Sequence, residues 1–546
     1  MNFTIFIVTI ITIIGAILRI ICIDKDGGLW NDEYVSWSIA AIPFGKAFIK
    51  GILTQCHMPF YYLYLKFFNM FSSNDTYLRI TSVIPSIISI PVMYLVGKEK
   101  CKNTGIICAI FTAFSSLLIY YGQEVRFYSL LFLFSSLSLL FTFKVIKSPR
   151  KRNLAGLLIS NFLILITHTI GFVYVFFNLI FVVLKLKQFY KKFVRYTCII
   201  TAILFIIASP LVIKILFLTH SMSQWWNNLN VYRIIQVFCD YFTPIISNVT
   251  PVEGINGISI NSVFLIIPLL ISFGVIIGSF FDKDIRFNNQ VIYVAFGTFI
   301  VAIIASMLGK LSINAKYIIE IYPILIFVFS STVDSFNKNW FKIFVLSVFF
   351  LFQAGFVLSP NYASKLPRSE GNKYVADLLK SANLKKNDYI VLTYYPQSRF
   401  EKYFDFSNYN VEDIYKGDFN YYYVPFMTTE EALKTGKNRY RGAFLNSVLP
   451  LSEYSGSYLI EKINNDVYKK MEKNQKVAFI FLDSISFLDE YTFKEIVTNP
   501  KNYSRAPLPY LIFSNIRNEI IKTIPVNARN LKYEVKGSWT IVTFEY

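Results

Sequence analysis

An adjacent carboxylate pair, Asp32-Glu33, stands in the run Leu-Trp-Asn-Asp-Glu-Tyr at 29–34, just past the first long apolar stretch of the chain. Such a pair can divide its work: one acid takes a proton from an attacking hydroxyl while the other binds a cation or an acceptor group. The run His57-Met58-Pro59-Phe60-Tyr61-Tyr62 follows, shortly before the second apolar stretch. There Pro59 would start an interfacial helix and fix its direction. A further acid and a cation come together in Gln123-Glu124-Val125-Arg126-Phe127-Tyr128. Arg126 offers a fork of donors to a phosphate oxygen. Lys316, beside Tyr317, and Arg19, near the end of the first apolar stretch, are further candidate cations for a phosphate. Each residue also has a plainer reading. Asp32-Glu33 could be a solvated loop, Glu124-Arg126 an ion pair that caps a helix, and Lys316 and Arg19 side chains that snorkel to headgroups. Histidine occurs only at 57, 168 and 220. No local spacing supports a His-Glu-Asp metal site.

These residues need elements to hold them. Eleven apolar runs are candidate membrane spans: 3–23, 80–97, 104–120, 127–146, 154–167, 170–186, 196–217, 261–281, 291–308, 318–334 and 342–359. The stretch 154–186 is too long for one span, and Thr167-His168-Thr169 with Gly171 offers its only break. Basic residues set the orientation. They crowd the loops Lys98–Lys102, Lys147–Arg152, Lys185–Arg195 and Asn337–Lys342, which places these in the cytoplasm. The N-terminus is then cytoplasmic, and an odd number of spans puts the C-terminus outside. The long outer loops are 24–79 and 218–260, and all three histidines fall on the outer side with Glu124, Arg126 and Lys316. Within 24–79, the stretches Tyr34–Ile42 and Pro59–Phe71 are amphipathic enough to lie in the interface.

Composition excludes other classes. Of 546 residues 54% are hydrophobic, with 54 Phe and 37 Tyr, as expected of lipid-facing helices with aromatic belts. Net charge is +20. After Pro360 there are 26 Lys/Arg against 21 Asp/Glu, so most of the excess lies in the apolar part. There the basic residues punctuate apolar runs without forming one stripe, which argues against nucleic-acid binding. The six cysteines match no zinc spacing. The reading is a multi-pass protein of the plasma or inner cell membrane, with domain 1–359 in the bilayer and domain 360–546 outside. In the latter, Gly371–Ala382 reads as an amphipathic helix, and Asp388–Tyr395, Val477–Leu482 and Ser538–Glu545 read as strands. Helices between strands give a small α/β domain.

The pieces occur together and in order: Arg19, Leu-Trp-x-Asp-Glu (29–33), His-x-Pro-aromatic-Tyr-Tyr (57–62), Leu-Arg-Ile-x-Ser (78–82), Gln-Glu-x-Arg-x-Tyr (123–128), Thr-His-x-x-Gly (167–171) and Lys316-Tyr317. This series resembles the membrane glycosyltransferases of the C-type fold, the group that contains protein O-mannosyltransferases and the aminoarabinose transferases of lipid A. The resemblance covers about residues 10–335. It implies a polyprenyl-phosphate-linked sugar as donor, and a lipid, glycan or protein acceptor reached from outside. Asp32 matches the family's catalytic Asp and Glu33 its neighbour. His57 matches a position near the donor phosphate, and Arg126 lies in the second signature loop. The chain departs from the pattern at Met58, where the family usually has Pro, and at Lys316, where it has Arg. No cofactor is certain; a divalent metal is left open because members of the wider fold differ.

The chemistry is coherent on its own terms. A sugar on a lipid phosphate already carries a good leaving group, so a base on the acceptor hydroxyl and cations on the departing phosphate suffice. Asp32 is then the base. Arg126, His57, Lys316 and Arg19 hold the phosphate, while Glu33, Glu124, Tyr61 and His168 orient acceptor or sugar. Attack opposite the phosphate gives inversion. The alternative, a transporter or flippase of lipid-linked glycans, calls for charged or broken helices near the midplane, whereas the polar motifs here cluster on the outer side.

Overall fold

The computed structural model describes residues 3–54, 58–186, 194–206, 231–242, 270–278, 289–307, 313–357, 371–393, 397–413, 437–441, 446–450, 463–482, 520–537 and 539–546, with the single positions 209, 213 and 461. Two compact units form: Met1–Asp24 with Val35–Lys365, and Lys25–Tyr34 with Leu366–Tyr546. The second unit thus takes up Lys25–Tyr34, which the sequence assigns to the outer loop 24–79 of the membrane part.

The first unit is helical. Among the described residues, four helices are long and apolar enough to cross a membrane: α1 (Phe3–Ile20), α5 (Asp75–Lys98), α8 (Tyr128–Lys147) and the run Ala315–Ser335. The pair α6 (Lys102–Phe114) and α7 (Ser116–Gly122), bent by 53°, makes a fifth when taken as one broken span. Gly171–Leu186, Val194–Ile206, Ile292–Met307 and Asn339–Gly355 are shorter apolar helices. The expected spans 196–217 and 261–281 lie partly outside the described residues.

Packing follows the apolar pattern. Val8 and Ile11 of α1 meet Ile90 and Tyr94 of α5 and Ala109 and Ala113 of α6. The opposite face of α1 leaves Phe3, Phe6, Ile13 and Ile17 exposed, the face a bilayer would cover. Helices α5 and α6 touch backbone to backbone: a Cβ on Gly97 would lie 2.7 Å from the Gly105 Cα. Small residues permit such an approach.

The stretch 154–186 divides where its polar residues stand, into α9 (Lys151–Leu165) and α10 (Gly171–Leu186). The kink between α6 and α7 has no Pro or Gly to announce it. At Ser115 the chain leaves helical geometry, its hydroxyl accepts from the Leu118 N–H, and Gln353 accepts from the Ser116 N–H at 2.7 Å. The loop 24–79 contains α2 (Asn31–Ala41), α3 (Lys46–Thr54) and α4 (Phe60–Asn69). Pro59 is the residue that starts α4. Ile39, Phe48, Ile52 and Tyr62 give these three helices a common core.

The second unit is built on a five-stranded mixed sheet in the order β2-β1-β5-β7-β6, with β1 Tyr389–Leu392, β2 Asn410–Asp413, β5 Lys476–Leu482, β6 Arg529–Lys536 and β7 Trp539–Glu545. β1 runs parallel to β2 and β5, while β7 is antiparallel to both β5 and β6. Alternate residues of β5 and β7 serve two cores. Phe479, Phe481, Val542 and Phe544 pack with Ile463 and Val467 on one face. Ile480, Trp539 and Ile541 pack with Leu378, Leu379 and Phe400 on the other. The β6 edge, Arg-Asn-Leu-Lys-Tyr-Glu-Val-Lys, is almost wholly exposed, and its charges discourage pairing with another chain. A separate hairpin pairs β3 (Lys437–Arg441) with β4 (Asn446–Pro450).

Candidate active site

Asp32 and Glu33 belong to the second unit, and their surroundings differ. Both lie in the first turn of α2, where carboxylates suit the positive end of the helix dipole. Glu33 is fully buried, and its Oε2 accepts from the Trp30 N–H at 3.2 Å. That is half of a capping box, the third helical residue reaching back to the residue before the helix. Asp32 is only partly buried and is the member of the pair that retains an open side.

The run leading to Asp32 is held by the rest of its unit. The Leu29 N–H donates to the Tyr403 hydroxyl at 2.8 Å, and the Asn372 side-chain amide donates to the Leu29 carbonyl at 3.0 Å. The Lys373 N–H, at the start of the helix Asn372–Ser381, donates to the Gly27 carbonyl at 3.1 Å. Gly27 thereby satisfies one of the orphan donors of that helix. The Tyr34 hydroxyl donates to the Ser398 carbonyl. Gly28 has φ +74°, and a Cβ there would meet the Tyr403 Oη at 2.7 Å, so geometry and space both demand glycine. Burial, and next the nearby Asp26 carboxylate, push the Tyr374 phenol above its ordinary range.

In the helical unit, several of the sequence candidates gather around the turn Gln123–Phe127 between α7 and α8. Gln123 fixes the turn: its Nε2 donates to the Arg19 and Ile21 carbonyls at 3.2 and 2.8 Å, over the end of α1. Arg126 is 5% exposed, its carbonyl accepts from the Ser82 hydroxyl at 3.2 Å, and its Nη1 donates to Ser36 Oγ at 3.1 Å. Its guanidinium carbon lies 5.5 Å from the Phe127 ring and 5.9 Å from the Tyr128 ring. Lys316 Nζ also lies 5.9 Å from the Tyr128 ring, and 5.1 Å from that of Tyr317. Two cations from distant parts of the sequence thus share one aromatic ring, each at cation–π distance. Glu124 is buried, and the Tyr121 hydroxyl is within electrostatic reach of both Glu124 and Lys316.

Tyr61 and His168 reach the same turn through Phe127. The Tyr61 ring meets Phe127 edge-on at 6.2 Å, and the His168 imidazole stacks on it at 5.0 Å. His168 Nδ1 lies 3.9 Å from Glu320 Oε1, with both side chains buried. Glu320 escaped the sequence reading although the signal was available: an acid inside an apolar run is costly and functional by default. Ser36 and Tyr128 were missed as partners of the cations because neither carries charge. His57 and His220 lie outside the described residues.

Arg19 adjoins this turn through its carbonyl, while its guanidinium bonds into the helices. Its guanidinium donates to Ser86 Oγ at 2.6 Å and to the carbonyls of Gly15, Ala113 and Thr112, each at 2.9 Å. The last two are carbonyls freed where α6 ends, so Arg19 satisfies the broken span. Arg19→Met is expected to lower the melting temperature of the solubilised protein, at about 1–3 kcal/mol for buried carbonyls left without donors. An unchanged melting temperature would mean that these carbonyls find other donors when Arg19 is gone.

Among the described residues no group of three or more His, Cys, Asp or Glu is placed to hold a metal ion. No family model matches the chain, and no curated protein matches it. Solved structures do. The crystal structure of ArnT from Cupriavidus metallidurans in the apo state superposes with a TM-score of 0.52 at 10% identity, covering 98% of this chain and 97% of that one. The same protein bound to undecaprenyl phosphate gives 0.48 at 10% identity, covering 100% and 98%. The archaeal oligosaccharyltransferase AglB from Archaeoglobus fulgidus, in complex with an inhibitory peptide and a dolichol-phosphate, gives 0.46 at 11% identity, covering 99% and 74%. At such identity the likeness to apo ArnT is one of fold: the chain has the C-type membrane glycosyltransferase fold.

Proposed function

We propose that this chain is a membrane glycosyltransferase that moves a sugar from a polyprenyl-phosphate carrier to an acceptor hydroxyl on the extracytoplasmic side. The observation that carries the reading is the meeting of Arg126 and Lys316 at the Tyr128 ring. Paired cations on an aromatic floor suit a lipid phosphate, which develops charge as the sugar leaves. The acceptor oxygen attacks the anomeric carbon opposite the phosphate, Asp32 takes its proton, and the phosphate departs with the electrons of the broken C–O bond. The anomeric centre inverts. His57 adds to the phosphate site, while Tyr61, His168 and Glu124 line the sugar or acceptor side. The acceptor is a lipid, a cell-surface glycan or a protein.

The test is binding to the full chain in lipid nanodiscs, read by native mass spectrometry with undecaprenyl phosphate and with undecaprenol. The phosphate form is expected to be retained and the alcohol lost. Equal retention would mean that the prenyl tail alone is recognised and that Arg126 and Lys316 have another purpose.

A further inference from the structure

A base needs a fixed position relative to its proton donor, and a misplacement of about 1 Å can cost about 100-fold in rate. Loops do not supply such precision by themselves. The run Gly27–Trp30 has its backbone tied at successive residues: Gly27 carbonyl to the Lys373 N–H, Leu29 N–H to Tyr403, Leu29 carbonyl to Asn372, and Trp30 N–H to Glu33. Leu29 is fully buried, and the bond from Asn372 to its carbonyl is made away from water. Asn372 is itself 1% exposed and accepts from Arg399 Nε at 3.4 Å; Arg399 is fully buried. Tyr34, two residues beyond Asp32, is tied to the Ser398 carbonyl. Asp32 is thus bracketed on both sides by bonds to the segments Asn372–Lys373 and Ser398–Tyr403.

We infer that the C-terminal α/β unit carries the base-bearing segment as one of its own parts, and that Tyr403 and Asn372 are positioning residues for Asp32. This rests on the reading of Asp32 as general base. It gives the C-terminal unit a duty in the chemical step itself, beyond any binding of acceptor. The pattern is specific: both polar groups of one backbone residue are met by two side chains that come from separate elements. A glycine at φ +74° just before it lets the Tyr403 hydroxyl close in.

The experiment compares variants of the full chain in nanodiscs, with polyprenyl-phosphate-linked hexoses and pentoses as donors, membrane extract as acceptor source, and released polyprenyl phosphate as readout. Tyr403→Phe and Asn372→Ala are each expected to lower kcat about tenfold or more, with KM for the donor unchanged. Hydrogen exchange over 25–36 should quicken in both. Thr393→Val is the control for domain stability, because the buried Thr393 hydroxyl donates to the Ile480 carbonyl inside the sheet, at 2.6 Å. It should leave transfer and exchange over 25–36 unchanged. In an Asp32→Asn background, Tyr403→Phe should cost nothing further, since the group it positions is gone.

The inference is overturned by normal kcat in Tyr403→Phe and Asn372→Ala while Asp32→Asn is impaired. An equal loss in Thr393→Val, or a full additional loss in the Asp32→Asn background, overturns it too. Undiminished transfer in Asp32→Asn alone would instead defeat the assignment of the base, whatever Tyr403 does.

Discussion

Asp32→Asn is expected to fold and insert normally and to lose sugar transfer by at least about 100-fold, the usual cost of removing a general base. The substitution keeps size and hydrogen-bonding shape and removes only the basic oxygen. Glu33 keeps its bond from the Trp30 N–H at the start of α2 in this variant. The favourable placement of a carboxylate in the first helical turn is worth about 0.3–1 kcal/mol, and that much stability should go with the charge. Glu33→Gln is the companion variant. A glutamine can still accept from the Trp30 N–H in a capping box, so transfer should fall far less than in Asp32→Asn. The two variants, assayed for turnover and for melting temperature, separate the members of the acid pair. Near-normal transfer in Asp32→Asn would remove the base; equal losses in both variants would mean that the pair acts as one unit.

The sequence motifs were legible where chemistry and periodicity coincide, and illegible where a long-range contact decides. The Asp-Glu pair, the Gln123–Tyr128 run and Lys316 could be singled out by residue type alone. Pro59 marked the start of α4, and Thr167–Gly171 the break between α9 and α10, because local preference sets both. The bend at Ser115 could not be read. It exists because Arg19, from another helix, satisfies the carbonyls of Thr112 and Ala113.

The interior of the helical unit also holds more charge than its apolar runs suggest, with Arg19, Arg79 and Glu320 all 1% exposed or less. In the α/β unit, β5 and β7 announced themselves by apolar content. Asn410–Asp413 and Arg529–Lys536 are polar edge strands, visible only through the partners they pair with. The allegiance of Lys25–Tyr34 was the largest surprise, since no property of Gly27, Gly28 or Leu29 names Asn372 or Tyr403 as its partner.

The second large effect is expected at the paired cations. Arg126→Ala should weaken binding of undecaprenyl phosphate by about 10- to 100-fold, the worth of about 1.5–3 kcal/mol for hydrogen bonds to a charged group. Binding of undecaprenol should not change. Lys316→Ala removes a point charge without a fork and should cost about tenfold, nearer the low end of that range. Arg126→Lys tests the fork directly: it keeps the charge near the Tyr128 ring but loses the planar donors, so it should recover only part of the affinity. Lys316→Arg, in contrast, should bind at least as well as the parent chain. If both cations hold the same phosphate, the double variant should lose less than the product of the single losses, since either substitution alone loosens the group the other grips. Full multiplicativity would place them on separate ligands, with Lys316 assigned to the sugar or acceptor. The purely structural alternative, cations that merely cover Tyr128, predicts a lowered melting temperature in each variant and unchanged affinity for undecaprenyl phosphate in all of them.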